Sequence, residues 1–147
     1  MAPLIEIQDL KQHFKIKGGL FGRNIQTVKA VDGVSFTINK GETFGLVGES
    51  GSGKTTLGRT LLHLYKPTSG KIFFNGEEVN ENNYRQYAKR MQIIFQDPYA
   101  SLNPRMTVED IIGEALDVHK LYSTKNERRE KVINLLKLVG LNAEQAQ

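Results

Sequence analysis

The chain has 147 residues, of which 39% are hydrophobic and 24% are charged, which are the proportions of an ordinary globular domain. It contains no cysteine, which excludes disulfides, thiolate zinc sites and a cysteine nucleophile. The formal net charge is +4, but acidic residues are interspersed among the basic ones, so we expect no nucleic-acid partner. No apolar run approaches the roughly eighteen residues of a membrane helix.

The first half of the chain predicts two strands, then a strand, a glycine-rich turn and a helix. Alternating apolar residues predict strands at 4–8 and 34–38. Between them, the glycines within 15–29 predict an exposed, flexible loop. The apolar run 43–47 predicts a strand buried on both faces, and leucines at helical spacing predict a helix over 54–65.

The middle of the chain predicts a hairpin, a short helix and another strand. A strand at 71–74 is followed by Asn75-Gly76, a strong turn signal because glycine tolerates positive φ. Aromatic and apolar residues at helical spacing predict a short helix over 82–90. The apolar run 91–95 then predicts a strand.

The last third of the chain predicts two amphipathic helices. One begins at Thr107, with acidic residues in its first turn that suit the helix dipole. The next is capped by Ser123 or Thr124 and ends at Gly140. Their apolar stripes predict packing between helices.

The segment Gly48–Thr55 fits the pattern G-x-x-x-x-G-K-[ST], which cradles nucleotide phosphates. Its glycines allow backbone N–H groups to approach an anion. Lys54 supplies a positive charge for the β- and γ-phosphates, and the Thr55 hydroxyl is a candidate ligand of Mg²⁺. A glycine-rich turn that binds nothing is the alternative. The dinucleotide pattern G-x-G-x-x-G fails because Thr56 stands at its last position.

Other candidate site residues are two aromatic rings and a polar pair. Phe14 or Phe21 is a candidate for stacking on adenine, and ordinary packing is the alternative for either ring. Asp97 follows an apolar run and is one candidate for holding Mg²⁺. We favour Gln96, whose amide oxygen would reach the metal or the attacking water from a loop at the strand end.

Four segments together resemble the ATP-binding subunits of ABC transporters. They are 28–36, 41–43, 45–57 and 94–105. The last of them, Ile94 to Arg105, looks like the Q-loop of the oligopeptide/dipeptide (and nickel) importer branch. The overall pattern is most similar to the second ATPase subunits of oligopeptide permeases, which implies import of oligopeptides or dipeptides, although nickel is an open alternative.

This resemblance implies an α/β fold, with a P-loop NTPase core of the ABC type. An N-terminal antiparallel β-subdomain begins over 1–43, the core extends over 44–97 to the Q-loop, and a helical subdomain begins over 98–147. The resemblance covers essentially the whole chain, but only the first half of the family's domain, so a truncated domain is expected.

The resemblance also implies roles for individual residues. Phe14 takes the place of the ring that stacks on adenine of ATP. The phosphate and Mg²⁺ contacts fall on Gly48, Ser50, Gly51, Ser52, Gly53, Lys54, Thr55 and Thr56. Gln96 matches the glutamine that senses the γ-phosphate, contacts the metal and couples the site to the transmembrane subunits. Lys54 and Gln96 are therefore the residues expected to act on the reacting phosphate.

Finally, the resemblance implies partners and missing parts. The implied partners are transmembrane permease subunits, a second, homologous ATP-binding subunit in a heterodimer and, indirectly, an external peptide-binding protein. The implied location of the chain is the cytoplasmic face of the membrane. The family's signature, catalytic Glu, D-loop and switch His are expected after residue 147, so we expect negligible hydrolysis. None of the three histidines matches the switch. A non-catalytic nucleotide-binding remnant or another P-loop NTPase is the alternative.

Overall fold

The structure, a computed structural model, describes residues 2–18 and 24–146. The chain divides into two compact units, Met1–Ile93 and Ile94–Gln147. Within the described ranges, no helix is both long enough and apolar enough to cross a membrane.

The first unit is built on a four-stranded antiparallel sheet in the order β2-β1-β3-β4. The strands are β1 (Ile5–Gly18), β2 (Asn24–Ile38), β3 (Ser69–Phe74) and β4 (Glu77–Val79). The two long strands pair along their whole length, from Ile5 opposite Ile38 to Gly18 opposite Asn24. Asn75 and Gly76, at φ 52° and 85°, form the tight turn between β3 and β4.

A bulge at Asp9 shapes the centre of this sheet. The register of β1 shifts there against both neighbouring strands, and Asp9 itself has φ 44°. Ile7 and Leu10 are therefore both buried, at 1% and 0% exposed, although residues three apart in a regular strand face opposite sides. Gly70, at φ 91°, lies so close to the bulge that a Cβ would overlap the backbone of Asp9 and Leu10.

Two helices complete the first unit. Helix α1 (Lys54–Leu61) buries Leu57 and Thr60, and helix α2 (Tyr84–Ala88) buries Tyr87. The shared apolar core consists of Ile7, Leu10, Val31, Leu57, Ile72, Phe74, Val79 and Tyr87.

The second unit is helical. Its helices are α3 (Pro98–Ser101), α4 (Val108–Val118) and α5 (Lys125–Leu138), followed by a 3₁₀ turn at Ala143–Ala146. Thr107 caps α4 and Thr124 caps α5 through their side-chain oxygens. A small core is formed by Leu116, Val132, Leu136 and Ala146.

The shortest ion pair between α4 and α5 is formed by Arg128 and Asp117. The Arg128 guanidinium donates two hydrogen bonds to Asp117, at 2.7 and 3.0 Å, and is only 16% exposed. Arg128 and Tyr122 together hold the pKa of the Asp117 carboxyl below its usual value.

Several sequence predictions are confirmed. They are the strand before Asn75, the turn itself, the helix starts at Thr107 and Thr124, and the positive φ of Gly140 just beyond α5. The helix predicted over 54–65 ends earlier, at Leu61.

Three predictions are wrong. The segments 43–47 and 91–95 are not strands, and Val47 and Ile94 are 93% and 95% exposed. A strand buried on both faces needs hydrogen-bonding neighbours, and among the described residues no strand pairs with either segment. The predicted loop over 15–29 is wrong at 15–18 and 24–29, because β1 extends to Gly18 and β2 begins at Asn24, and its middle, 19–23, lies outside the described residues.

Gly70→Ala tests the close contact at the bulge. We expect it to lower the free energy of unfolding by about 3 kcal/mol or more, because left-handed strain adds to a backbone clash. Gly41→Ala is the matched control, since Gly41 has φ 79° but a Cβ there meets nothing within 4 Å, so only about 1 kcal/mol should be lost. Urea denaturation followed by circular dichroism measures both, and equal losses would contradict the contact.

Asp117→Asn tests the contact between α4 and α5 through its pH dependence. Because the folded-state pKa of Asp117 is lowered, its contribution to stability is complete above the unfolded-state value of about 3.9. It is lost as the pH falls through the lower folded-state value. The unaltered chain should therefore melt above the variant at pH 6, and the difference should shrink below about pH 4.

Glu130→Gln is the control for that experiment, because Glu130 is exposed on α5, the helix that carries Arg128. A thermal melt of each variant between pH 3 and pH 7 gives the comparison. A difference for Asp117→Asn that stays constant across this range would rule out the ionised contact as its cause.

Candidate functional site

The glycines of the segment Gly48–Thr55 allow close approaches that other residues could not make. Gly51 and Gly53 have φ 80° and 93°. A Cβ on Gly53 would overlap the carbonyl oxygen of Ala30 in β2, and a Cβ on Gly48 would lie 2.7 Å from the Ser52 hydroxyl. The loop is therefore compact, and its C-terminal end is seated directly against the sheet.

Lys54 directs its ammonium back into the loop. Its Nζ donates to the carbonyl oxygens of Gly48 and Glu49, each at 2.6 Å, and to the Ser52 hydroxyl at 3.3 Å. Charge-assisted bonds of this length are strong. The positive charge is thus held inside the loop, where the backbone curves around it.

Helix α1 begins immediately after Gly53, at Lys54. Gly53 is its N-cap, and within the part of the chain that the structure describes no side chain caps the helix. The first N–H groups of the helix are therefore available to an anion, and the helix dipole favours negative charge at this end. Thr55 is exposed and Thr56 half-buried in this first turn, and Ser50 is exposed in the loop.

These features fit a nucleotide triphosphate with Mg²⁺. A glycine backbone, an ammonium and an uncapped helix N-terminus all favour binding of phosphate oxygens. The Thr55 hydroxyl oxygen is a type of ligand that Mg²⁺ binds. No group of three or more His, Cys, Asp or Glu side chains is placed to hold a metal among the described residues.

Phe14 lies on β1, opposite Val28 of β2. Its ring meets the ring of Tyr65 edge to face, with the centroids 5.3 Å apart and an interplanar angle of 83°. The Tyr65 hydroxyl accepts a hydrogen bond from Arg59 of α1 at 3.1 Å. The other candidate ring, Phe21, lies outside the described residues.

Gln96 and Asp97 belong to the second unit, whereas the phosphate loop belongs to the first. The Gln96 side chain is exposed, and its part in the site stays a prediction. The Asp97 carboxylate caps α3, accepting from the backbone N–H groups of Tyr99 and Ala100 at 3.0 Å each. Asp97 therefore has a local structural role.

Sequence reasoning missed Tyr65 and Arg59 as neighbours of the candidate site. The ring of Tyr65 contacts Phe14, which is distant along the chain, and Arg59 contacts only the Tyr65 hydroxyl of this pair. No motif marks either residue. The cap formed by Asp97 could have been recognised, because an Asp followed by Pro at the first helical position is a usual helix start.

The comparisons with known proteins agree with this geometry. A profile described as ABC transporter matches residues 31–147. The oligopeptide transport ATP-binding protein OppF of Bacillus subtilis is 56% identical over 147 residues, which cover 97% of this chain and 46% of that protein. The dipeptide transport ATP-binding protein DppF of Haemophilus influenzae is 46% identical over 146 residues, covering 97% of this chain and 44% of that protein.

Solved structures with a similar fold are ATP-binding cassettes. The cassette MJ0796 in a post-hydrolysis state bound to ADP and Pi superposes with a TM-score of 0.71 at 23% identity, covering 97% of this chain and 60% of that one. A component of the cbiONQ transporter, cbiO1 from Clostridium perfringens, gives a TM-score of 0.68 at 23% identity, covering 100% of this chain and 54% of that one.

This chain spans about half the length of the curated relatives it matches. The profile nevertheless matches most of its residues, including the whole phosphate loop, and the solved structures show that its α/β fold is that of ABC-type cassettes, with the antiparallel sheet and the beginning of the helical part. The chain therefore belongs to the ABC transporter family.

Proposed function

We propose that this chain forms the nucleotide-binding part of an ATP-binding subunit that powers import of oligopeptides or dipeptides. The observation that carries the proposal is the phosphate loop, in which Lys54 bonds the Gly48 and Glu49 carbonyls inside a glycine-lined turn. The choice of peptides as cargo is supported by relatives that are named for oligopeptide and dipeptide transport.

In this proposal each group of the loop binds a different part of ATP and its Mg²⁺. Backbone N–H groups of Ser50 to Gly53 and of the first turn of α1 contact the phosphates. The Lys54 ammonium leaves its carbonyl partners and binds the β- and γ-phosphates. Charge-assisted hydrogen bonds to phosphate oxygens then replace those to the carbonyl oxygens. Thr55 supplies a hydroxyl to Mg²⁺, which neutralises charge on the phosphates, and Thr56 adds a further contact.

The adenine is proposed to stack on Phe14. The T-shaped arrangement with Tyr65 leaves at least one face of Phe14 uncovered by that ring, whichever ring presents its edge. A planar base then gains the stacking energy that aromatic platforms provide to nucleobases.

Gln96 is proposed to contact the metal or the attacking water and to report the state of the γ-phosphate to transmembrane permease subunits. Its exposed side chain and its place directly before a capped turn support this role. The same proposal divides the chain into segments 1–43, 44–97 and 98–147. It also includes a location at the cytoplasmic face of the membrane, a second homologous ATP-binding subunit and an external peptide-binding protein. They rest on family membership.

Lys54→Ala tests the phosphate site. We expect ATP and inorganic tripolyphosphate to lose affinity roughly ten- to hundredfold, the range of a hydrogen bond to a charged group. Isothermal titration calorimetry in Mg²⁺ buffer measures both ligands. Lys40→Ala is the matched control, because it removes the same charge from an exposed turn of the same unit, and unchanged affinity in Lys54→Ala would remove the loop from the function.

ATP hydrolysis by the 147-residue chain is expected to be negligible. In this proposal no carboxylate of the chain serves as a general base, so positioning and charge neutralisation at the loop would act alone. Phosphate release should therefore be the same for the unaltered chain and for Lys54→Ala. A faster rate that disappears in Lys54→Ala would contradict this expectation.

A further inference from the structure

Phe14 is fixed by contacts that lead back to the phosphate helix. Its ring packs edge to face with Tyr65 at 5.3 Å, and the Tyr65 hydroxyl accepts a hydrogen bond from the Arg59 guanidinium at 3.1 Å. Arg59 lies on α1, the same helix that begins with Lys54. Two side-chain contacts therefore join the candidate base platform to α1, the helix that starts at the phosphate site.

The backbone just after Tyr65 is held against β1 at Thr68. Thr68 N–H donates to the Lys11 carbonyl at 2.8 Å, and the His13 N–H donates to the Thr68 hydroxyl at 2.9 Å. The segment that leaves α1 thus runs beside β1 just before Phe14. Tyr65 is half-buried in this segment, so its ring has few other orientations to adopt.

An isolated phenylalanine on a strand near a hairpin end would turn about its χ1 and χ2 angles. Ordering a ring costs conformational entropy, and a ligand that stacks on a disordered ring must supply that cost from its own binding energy. A ring held beforehand by a neighbour spares the ligand this cost. An edge-to-face pair is the arrangement that aromatic quadrupoles favour, and it leaves a Phe14 face free.

We propose that Tyr65 is a positioning residue, which holds the Phe14 ring in the orientation that stacks on the base of the nucleotide. The inference rests on the proposed function, because it requires that ATP binds at the loop and at Phe14. The aromatic ring of Tyr65 makes the contact with Phe14, and its hydroxyl bond to Arg59 fixes the ring relative to α1.

Paired ligands test this role. In Tyr65→Leu we expect ATP affinity to fall roughly two- to tenfold, the range of one aromatic pair, whereas the affinity for inorganic tripolyphosphate, which has no base, stays unchanged. Tyr65→Phe keeps the ring and should restore most of the ATP affinity. Tyr84→Leu is the control, because Tyr84 is half-buried in the same unit but stacks on His63, and it should leave both affinities unchanged.

A double-mutant cycle separates positioning from general damage to the fold. In a chain that already carries Phe14→Leu, adding Tyr65→Leu should cause no further loss of ATP affinity, because the platform is already gone. Calorimetric titrations of the four chains with ATP and with tripolyphosphate provide the cycle. Thermal melts of the same chains report how far each is folded.

Each other result overturns the inference in a recognisable way. ATP affinity that is indifferent to Tyr65→Leu, or losses that simply add in the cycle, would overturn the positioning role while leaving the nucleotide site standing. Equal losses for ATP and tripolyphosphate would assign Tyr65 to general folding. If the unaltered chain bound neither ligand in a manner that depends on Lys54, the proposed function would fail, and this inference would fail with it.

Discussion

The close approach of Gly53 to β2 is the constraint on which the candidate site depends. A Cβ at this position would overlap the Ala30 carbonyl oxygen, so only glycine lets the loop lie directly on the sheet. The next residue begins α1, whose Leu57 is buried in the core at 4% exposed. The phosphate loop is therefore fixed to the sheet at the point where its helix starts.

The same pair of strands supports both halves of the candidate nucleotide site. Val31, next to Ala30, pairs with Gln12, and Phe14 pairs with Val28 further along the same two strands. The distance between the phosphate loop and the Phe14 ring is consequently set by the paired backbones of β1 and β2, whose register shifts between Gln12 and His13, and paired strands resist stretching far better than a loop would. A site that binds both the phosphates and the base of a nucleotide needs a fixed distance between the two parts of the site.

The loop is anchored mainly from the helix side. The segment before it is no strand, and Leu46 and Val47 are 44% and 93% exposed. Phe44 contributes one anchor, stacked on Phe36 with centroids 4.7 Å apart. The Lys54 ammonium adds another, because its bonds to the Gly48 and Glu49 carbonyls tie the beginning of the loop to the start of α1. Lys54 thus closes the turn as well as supplying charge.

Features that depend on short-range chemistry could be predicted from the sequence, whereas features that depend on a distant partner could not. Asn75-Gly76 forms the predicted turn because glycine and asparagine accept positive φ, and Thr107 caps its helix through one local bond. The apolar run 43–47 looks like a buried strand, but a strand exists only where another strand can pair with it. The contact between Phe14 and Tyr65 likewise joins two elements that no local pattern connects.

The choice between Gln96 and Asp97 shows how local hydrogen bonding bears on a functional assignment. The Asp97 carboxylate accepts two backbone N–H bonds at the start of α3, both at Oδ1, and these charge-assisted bonds hold its side chain at the cap. Gln96 is exposed and precedes that cap, so its amide can move without disturbing the helix. The cap therefore gives Asp97 a structural role, and a contact between Gln96 and a ligand stays a prediction.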